Sequence, residues 1–304
     1  MNYSCVVLMS TYNGERYVGE QIDSIINQDE VDVYLLIRDD GSSDNTISVL
    51  KEKVCKNPNQ ILLIEGANVG IHQSFADLMN SNMGDAEFVA FADQDDVWDS
   101  NKLSTAITQL LLNKADFYSS ASRLVDSNMN DLHATTSNSK LHNYYINSVS
   151  SVLSPGSQGC TIVVTRSFFD SLREHGIPSY YGHDTWITVV AYYLNKSIYD
   201  ADAHMSYRQH NQSWTGNRKN KFAQQRREFK FFIKGMKRYS MLSNDLLTKY
   251  NKEFEGDKRR VLELLSKPHK SMNDRINLIF TKDFGKYGFV QNCIFKLFVL
   301  LGKV

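Results

Sequence analysis

Short apolar runs alternate with apolar residues at helical spacing through the first half of the chain. Residues 3–9 form an apolar run of strand length, and Val18, Ile22, Ile25 and Ile26 then share one helical face. Residues 33–37 predict a second strand, rich in β-branched and aromatic side chains. Ile47, Leu50 and Val54 mark the next helix, with Ser42, Ser43 and Asp44 before it as caps. Residues 61–64 predict a third strand, Ile71, Phe75, Leu78 and Met79 a third helix, and residues 87–92 a fourth strand. Such alternation predicts βαβ units around a largely parallel sheet, an α/β fold. Strand-like runs return at 117–122 and 160–165. The Ser- and Asn-rich stretch 126–157 between them reads as loop or as an insertion over the sheet edge.

Open parallel sheets bind ligands beyond the carboxyl ends of their strands. Three polar motifs fall at such ends: residues 10–14 (STYNG), 39–46 (DDGSSDNT) and 93–96 (DQDD). In the last, Asp93, Asp95 and Asp96 follow directly on an apolar run. Carboxylates this close repel one another unless a cation joins them, and hard divalent ions take carboxylate and phosphate oxygens. A metal–pyrophosphate site is the chemistry this pattern suggests. Tyr12 offers a ring for stacking on a nucleobase, or else a lid on the core. Asp39 and Asp40 offer acceptors to base or ribose, or else a turn and helix cap. Asn68 and Gly70, at the start of the third helix, offer backbone donors to sugar or phosphate, or else a cap.

Charge changes the picture in the second half. The chain has 304 residues and zero formal net charge, with 34 acidic and 34 basic side chains. Residues 1–120 hold 19 acids and 7 bases; residues 121–304 hold 15 and 27. Nine of those bases lie within 217–238, where Phe222, Phe229, Phe232 and Met236 recur at helical spacing, a basic amphipathic pattern. Residues 289–301 are apolar with lysines nearby, too short to span a bilayer but suited to an interface. Residues 216–304 are therefore expected to form a helical C-terminal extension. Periodicity leaves three uses for it open: packing on the preceding domain, a homodimer contact, or peripheral contact with a membrane. No RNA or DNA motif accompanies the bases, so nucleic acid is not an expected partner. Four scattered cysteines with no CxxC pair point to reduced thiols and a cytoplasmic setting. The N-terminus reads as a first strand, not a signal peptide.

Taken in order, Ser10–Gly14, Asp39–Asp44, Asn68–Gly70 and the DxD-type Asp93-Gln-Asp95 resemble the motifs of the family 2 glycosyltransferases. These are nucleotide-sugar-dependent inverting enzymes with the GT-A fold. The resemblance covers roughly residues 3–215, and residues 1–215 are expected to form one domain. The run FADQDDVW at 91–98, with Tyr207, Arg208, Gln209 and His210 downstream, is similar to the rhamnosyltransferase-type branch of bacterial polysaccharide assembly. The resemblance implies that Tyr12 and Asp40 hold the base, with Ser10, Thr11 and Asp39 nearby. Asp93 would face the ribose or the metal shell, Asp95 would ligate Mn²⁺ or Mg²⁺, and Asp96 would stand behind them. Asp184 would be the general base and His210 a further metal ligand, while Arg208 would approach the pyrophosphate. Gly159, Cys160 and His183 would lie on the acceptor side; His183 stands where the family usually carries Glu. A saccharide or lipid-linked saccharide is the implied acceptor and dTDP-L-rhamnose the implied donor, with a UDP-hexose as the alternative. Two other classes fit these residues less well. A nucleotidyltransferase would want a Gly-rich basic loop after strand one, which residues 10–16 fit poorly. A non-catalytic nucleotide-sugar-binding module would not need both Asp95 and Asp184.

Overall fold

The structure is a computed structural model that describes residues 2–136, 157–178, 180–194, 196–209, 239–250, 252–267, 269–281 and 289–302. Among them, nine strands form one sheet: β1 (Tyr3–Thr11), β2 (Val31–Asp39), β3 (Ile61–Glu65), β4 (Phe88–Ala92), β5 (Val97–Trp98), β6 (Phe117–Val125), β7 (Asp131–Thr135), β8 (Val163–Thr165) and β9 (Ser197–Arg208). Their order is β3-β2-β1-β4-β8-β6-β9-β5, with β7 paired to β6. Strands β1, β2, β3, β4, β6 and β9 run in one direction; β5, β7 and β8 run against them.

The apolar runs become the central strands because both faces of the sheet are covered. In β1 every residue from Cys5 to Thr11 is buried, as is all of β4, the continuous burial expected of parallel strands. Helices α1 (Val18–Ile26), α2 (Thr46–Lys56), α3 (Ile71–Met79) and α4 (Lys102–Asn113) return the chain between strands. On α1, Val18, Ile22 and Ile25 are buried at the spacing read from the sequence. After β3 the chain crosses back to lay β4 on the other side of β1. Strand order reverses there, and the crevice at the carboxyl ends of β1 and β4 receives residues 10–14 and 93–96.

Two expectations for the chain after β4 need correction. Residues 131–135, read as loop, form β7 against β6. All five are exposed, so no apolar alternation announced the strand. Residues 159–161 make a 3₁₀ turn, and β8 starts only at Val163. Strand β9 was not foreseen either, because its run SIYDADAHMSYR carries acids at Asp200 and Asp202.

The chain divides into two compact units. One holds Met1–Asn138, Ser157–Thr188 and Lys196–Ser213, and with them the whole sheet and helix α5 (Arg166–Glu174). Helix α6 (His183–Tyr193) begins in it. The other includes Val189–Asn195 and the described residues from 239 onward. It is helical over 239–250 and in α7 (Gly256–Ser266), α8 (Met272–Phe280) and α9 (Phe289–Leu300). Leu242, Leu246, Tyr250, Phe254, Val261, Leu262 and Leu265 are buried in it, and Lys258 Nζ donates to the Tyr193 carbonyl at 2.7 Å. The basic stretch 217–238 lies outside the described residues.

Candidate active site

The loops after β1 and β2 are tied to each other by their own side chains. Asp39 accepts from Thr11 Oγ1 at 2.8 Å, from the Gly41 and Ser42 amides at 3.1 and 2.8 Å, and from Ser42 Oγ at 2.6 Å. Four donors satisfy a carboxylate. Asp40 accepts from the Val69 and Gly70 amides, both at 2.9 Å, and forms an ion pair with Arg38. Arg38 Nη1 also donates to Ser74 Oγ at 3.1 Å, which shares a 2.6 Å bond with Ser10 Oγ. Ser10, Thr11, Asp39 and Asp40 are all buried. These four residues therefore fasten loops together, and direct contact of Asp39 or Asp40 with a base would require these bonds to exchange. Gly41 has φ +78°, and a Cβ there would meet the Asn68 amide nitrogen at 2.9 Å, so only glycine fits.

What faces outward at this edge is the Tyr12 ring, 48% exposed, with Asn68, Val69 and Gly70 also exposed. Gln94, the middle residue of the DxD run, holds Tyr12 in place. Its Oε1 accepts from the Tyr12 amide at 2.8 Å and its Nε2 donates to the Tyr12 carbonyl at 3.0 Å. The loops after β1 and β4 are thereby locked together.

Helix α1 holds the acidic turn from beneath, with Gln21 Nε2 donating to the Asp93 carbonyl at 2.9 Å. Arg208, at the end of β9, holds its far side. The Arg208 amide donates to Asp96 Oδ1 at 3.1 Å and Nε to the Asp95 carbonyl at 2.8 Å. Nη2 reaches Glu20 at 2.6 Å, and the guanidinium lies 4.5 Å from the centre of the Tyr17 ring. Its side chain is buried, so the structure gives Arg208 the task of shaping the acidic turn, not of meeting solvent.

The three carboxylates of this turn act on one another. Asp93 is pushed up to about 7, first by burial, then by the charges of Asp95 and Asp184. Asp96, wholly buried, is raised well above the ordinary carboxylate range by burial, then by Asp93 and Asp95. Asp184, from the first turn of α6, thus shares the electrostatic neighbourhood of Asp93. A helix N-terminus favours a carboxylate there, and the Thr185 amide donates to Asp184 Oδ1 at 2.6 Å. Ligand atoms of Asp93, Asp96 and Cys160 lie within 4.8 Å of one another, and Asp96 Oδ2 is shut from solvent without a hydrogen-bond partner. Crowded carboxylates with an unsatisfied oxygen fit a divalent cation, which would relieve their repulsion. Asp95, the ligand expected from the resemblance, is not one of the three gathered groups; it lies partly exposed on the same turn. His210, the other expected ligand, lies outside the described residues.

The family model for glycosyl transferase family 2 matches residues 6–173, more than half of the chain. The chain belongs to this family. It is 37% identical over 115 residues to the dTDP-rhamnosyl transferase RfbG of Shigella flexneri, a match covering 37% of this chain and 40% of that relative. It is 29% identical over 130 residues to an Escherichia coli UDP-Glc:alpha-D-GlcNAc-diphosphoundecaprenol beta-1,3-glucosyltransferase, covering 42% of this chain and 49% of the relative. The match thus spans less than half the length of either relative. Among solved structures, Staphylococcus aureus TarS with UDP-GlcNAc aligns with a TM-score of 0.57 at 19% identity, over 86% of this chain and 70% of that one. A Pyrobaculum calidifontis mannosyltransferase with GDP-Man and Mn²⁺ aligns with a TM-score of 0.55 at 15% identity, over 100% of this chain and 73% of that one. The fold is GT-A.

Within this family 2 domain the acceptor-side residues turn inward. The His183 ring stacks on Phe91 at 4.9 Å and on Phe75 at 3.8 Å between centroids. Its Nε2 is shut from solvent with no hydrogen-bond partner. A Cβ on Gly159 would lie 2.6 Å from that nitrogen, so Gly159 serves as the slot for the ring. His183 therefore packs against β4 and α3 through Phe91 and Phe75, and its expected contact with an acceptor is not what this geometry favours. Cys160 is also buried, its thiol pushed up by burial and then by Asp96 and Asp93.

Burial is the main reason the His183 imidazole is pushed down to about 4. The unfolded chain takes up this proton near pH 6.5 and the folded one only near 4, so stability is lost as pH falls through that window. Full development of the shift amounts to at most ~3 kcal/mol. His183→Gln is expected to flatten the dependence of the urea midpoint on pH between 6.5 and 4; an unchanged slope would assign the acid sensitivity elsewhere.

Sequence reasoning missed Lys102. It begins α4, is fully buried, and carries Nζ 3.6 Å from the centre of the Trp98 ring. Burial pulls it down to about 8, against the opposing pull of Cys160, Cys5 and Asp96. A positive charge thus stands behind the acidic turn. A lone lysine between Asn101 and Leu103 carries no signal of such a post.

Proposed function

We propose that this family 2 domain transfers a sugar, L-rhamnose from dTDP-L-rhamnose, to a hydroxyl of a saccharide or lipid-linked saccharide acceptor. The transfer inverts the anomeric carbon and serves assembly of a bacterial cell-surface polysaccharide. The observation that carries this reading is the acidic turn itself: ligand atoms of Asp93, Asp96 and Cys160 lie within 4.8 Å of one another, and the Asp184 side chain packs beside Gly159, next to Cys160. Nucleotide-sugar transfer needs both an acidic turn for a cation-bound diphosphate and a separate carboxylate for the acceptor.

In this reading Asp184 removes the proton from the attacking hydroxyl as the anomeric centre becomes oxocarbenium-like. It stands in the first turn of α6. Tyr12, steadied by Gln94, stacks on the base, and the exposed Asn68–Gly70 backbone meets the sugar or diphosphate. A bound Mn²⁺ or Mg²⁺ would neutralise charge on the departing nucleoside diphosphate. Arg208 and Gln21 keep the acidic turn in shape without touching substrate.

The donor assignment draws on the likeness to the Shigella dTDP-rhamnosyl transferase. The likeness to the Escherichia coli glucosyltransferase supports a UDP-hexose as the second reading. A cytoplasmic setting is supported by four free cysteines, two of them exposed. Thermal shift against a donor panel with Mn²⁺ tests the donor. A ligand at a hundred times its Kd adds about 2.7 kcal/mol, so dTDP-L-rhamnose is expected to give the largest upward shift. A larger shift with UDP-hexoses would replace the sugar and keep the reaction class. Donor hydrolysis separates an enzyme from a binding module: no hydrolysis and no transfer with any donor would favour the module.

A further inference from the structure

Helix α8 leaves its apolar face uncovered. Met272 is 58% exposed, Ile276 42% and Phe280 81%. At i, i+4 and i+8 these three lie along one side of the helix, while Leu278 on the other side is fully buried. Helix α9 repeats the arrangement, with Leu297, Leu300 and Leu301 exposed at its end and Val299 buried. The two helices pack on each other, joined by Arg275 Nη1 donating to the Leu300 carbonyl at 2.8 Å. A Ser271–Asp274 capping box fixes the start of α8. The apolar stripes thus sit on helices held in shape by their own caps and contacts.

Two adjacent helices that each expose large apolar side chains mark an interaction surface. Charge selects the occupant. Among the described residues from 267 to 302, Lys267, Lys270, Arg275 and Lys296 stand against Asp274 alone. Two copies of so basic a hairpin repel each other, which disfavours self-association through this face. Anionic lipid headgroups attract it. No described helix is long and apolar enough to cross a membrane, so the helices would lie in the interface plane.

We infer that the α8–α9 hairpin is an interfacial membrane-docking surface, with Met272, Ile276 and Phe280 entering the headgroup–acyl boundary of an anionic bilayer. The inference stands apart from the transfer reaction, because none of these residues belongs to the acidic turn or to the Asp184 neighbourhood.

The test is flotation of the purified full chain with phosphatidylglycerol-containing vesicles and with pure phosphatidylcholine vesicles. The wild type is expected to float with the anionic vesicles and to be released by salt. The triple substitution M272S/I276S/F280S is expected to lower the bound fraction at least tenfold, with the melting temperature and donor hydrolysis unchanged. The three side chains are already exposed, so folding is not the variable; Phe280→Glu alone is a second probe and is expected to weaken binding several-fold. Equal flotation of wild type and triple variant would overturn the inference. So would failure of the wild type to float, with a concentration-dependent dimer that the triple variant breaks, which would assign the face to a second copy of the chain.

Discussion

Replacing Asp184 by Asn is expected to lower kcat for sugar transfer by about 10²–10⁴-fold, the usual contribution of a positioned general base. Donor affinity should stay within a few-fold of wild type. The substitution keeps an oxygen for the Thr185 amide, which now donates to Asp184 Oδ1 at 2.6 Å, so the start of α6 should hold. It removes the charge that would accept the acceptor's proton. Single-turnover kinetics with saturating donor give the chemical step directly. A fall in donor affinity with little change in that step would move Asp184 from base to donor contact.

The second large effect is expected at Asp95. Asp95→Ala should lower transfer by at least about 10²-fold, comparable to removing a charge-stabilising group at a reacting oxygen. It should also remove the metal dependence of donor binding. Arg208 Nε bonds the Asp95 main-chain carbonyl, so the backbone of the turn keeps its support when the side chain is lost. Asp96 behaves differently. It is buried and takes the Arg208 amide at Oδ1, so its removal would disturb the fold of the turn as well as its charge. Asp95 is the cleaner probe for that reason. Full activity of the purified variant would remove the metal role assigned to this residue.

The parallel half of the sheet was legible because burial on both faces writes strands as continuous apolar runs, as in Cys5–Met9 and Phe88–Ala92. The motifs were legible because polar residues abruptly follow those runs at the edge where α/β sheets bind ligands. Beyond β4 the code weakens. Strand β7 is exposed along its whole length. Strand β9 keeps Asp200 because that carboxylate accepts from Tyr118 Oη at 3.0 Å and meets His204 at 3.0 Å, partners set by tertiary pairing. In the site, residue types pointed to one edge of the sheet but not to the partners each side chain takes there. Asp39 and Asp40 looked like ligand acceptors, yet their bonds to Gly41, Ser42, Val69 and Gly70 are long-range or turn contacts that become countable only once the loops are placed. His183 looked like an acceptor contact because it precedes Asp184, but helix geometry sends neighbouring side chains about 100° apart, and its ring goes to Phe75 and Phe91. Gln94 and Gln21 were invisible for the same reason: each serves a partner distant in sequence.

The central claim is that Asp93 and Asp95 grip one divalent cation at the carboxyl end of β4, with Asp184 facing the same cleft. Diffraction at the manganese edge from crystals grown with Mn²⁺ and dTDP addresses it most directly. The account predicts a single strong anomalous peak within coordination distance of an Asp95 carboxylate oxygen, beside the nucleotide diphosphate and on the Asp184 side of the cleft. A peak elsewhere in the molecule, or bound dTDP with no peak near Asp95, would contradict it.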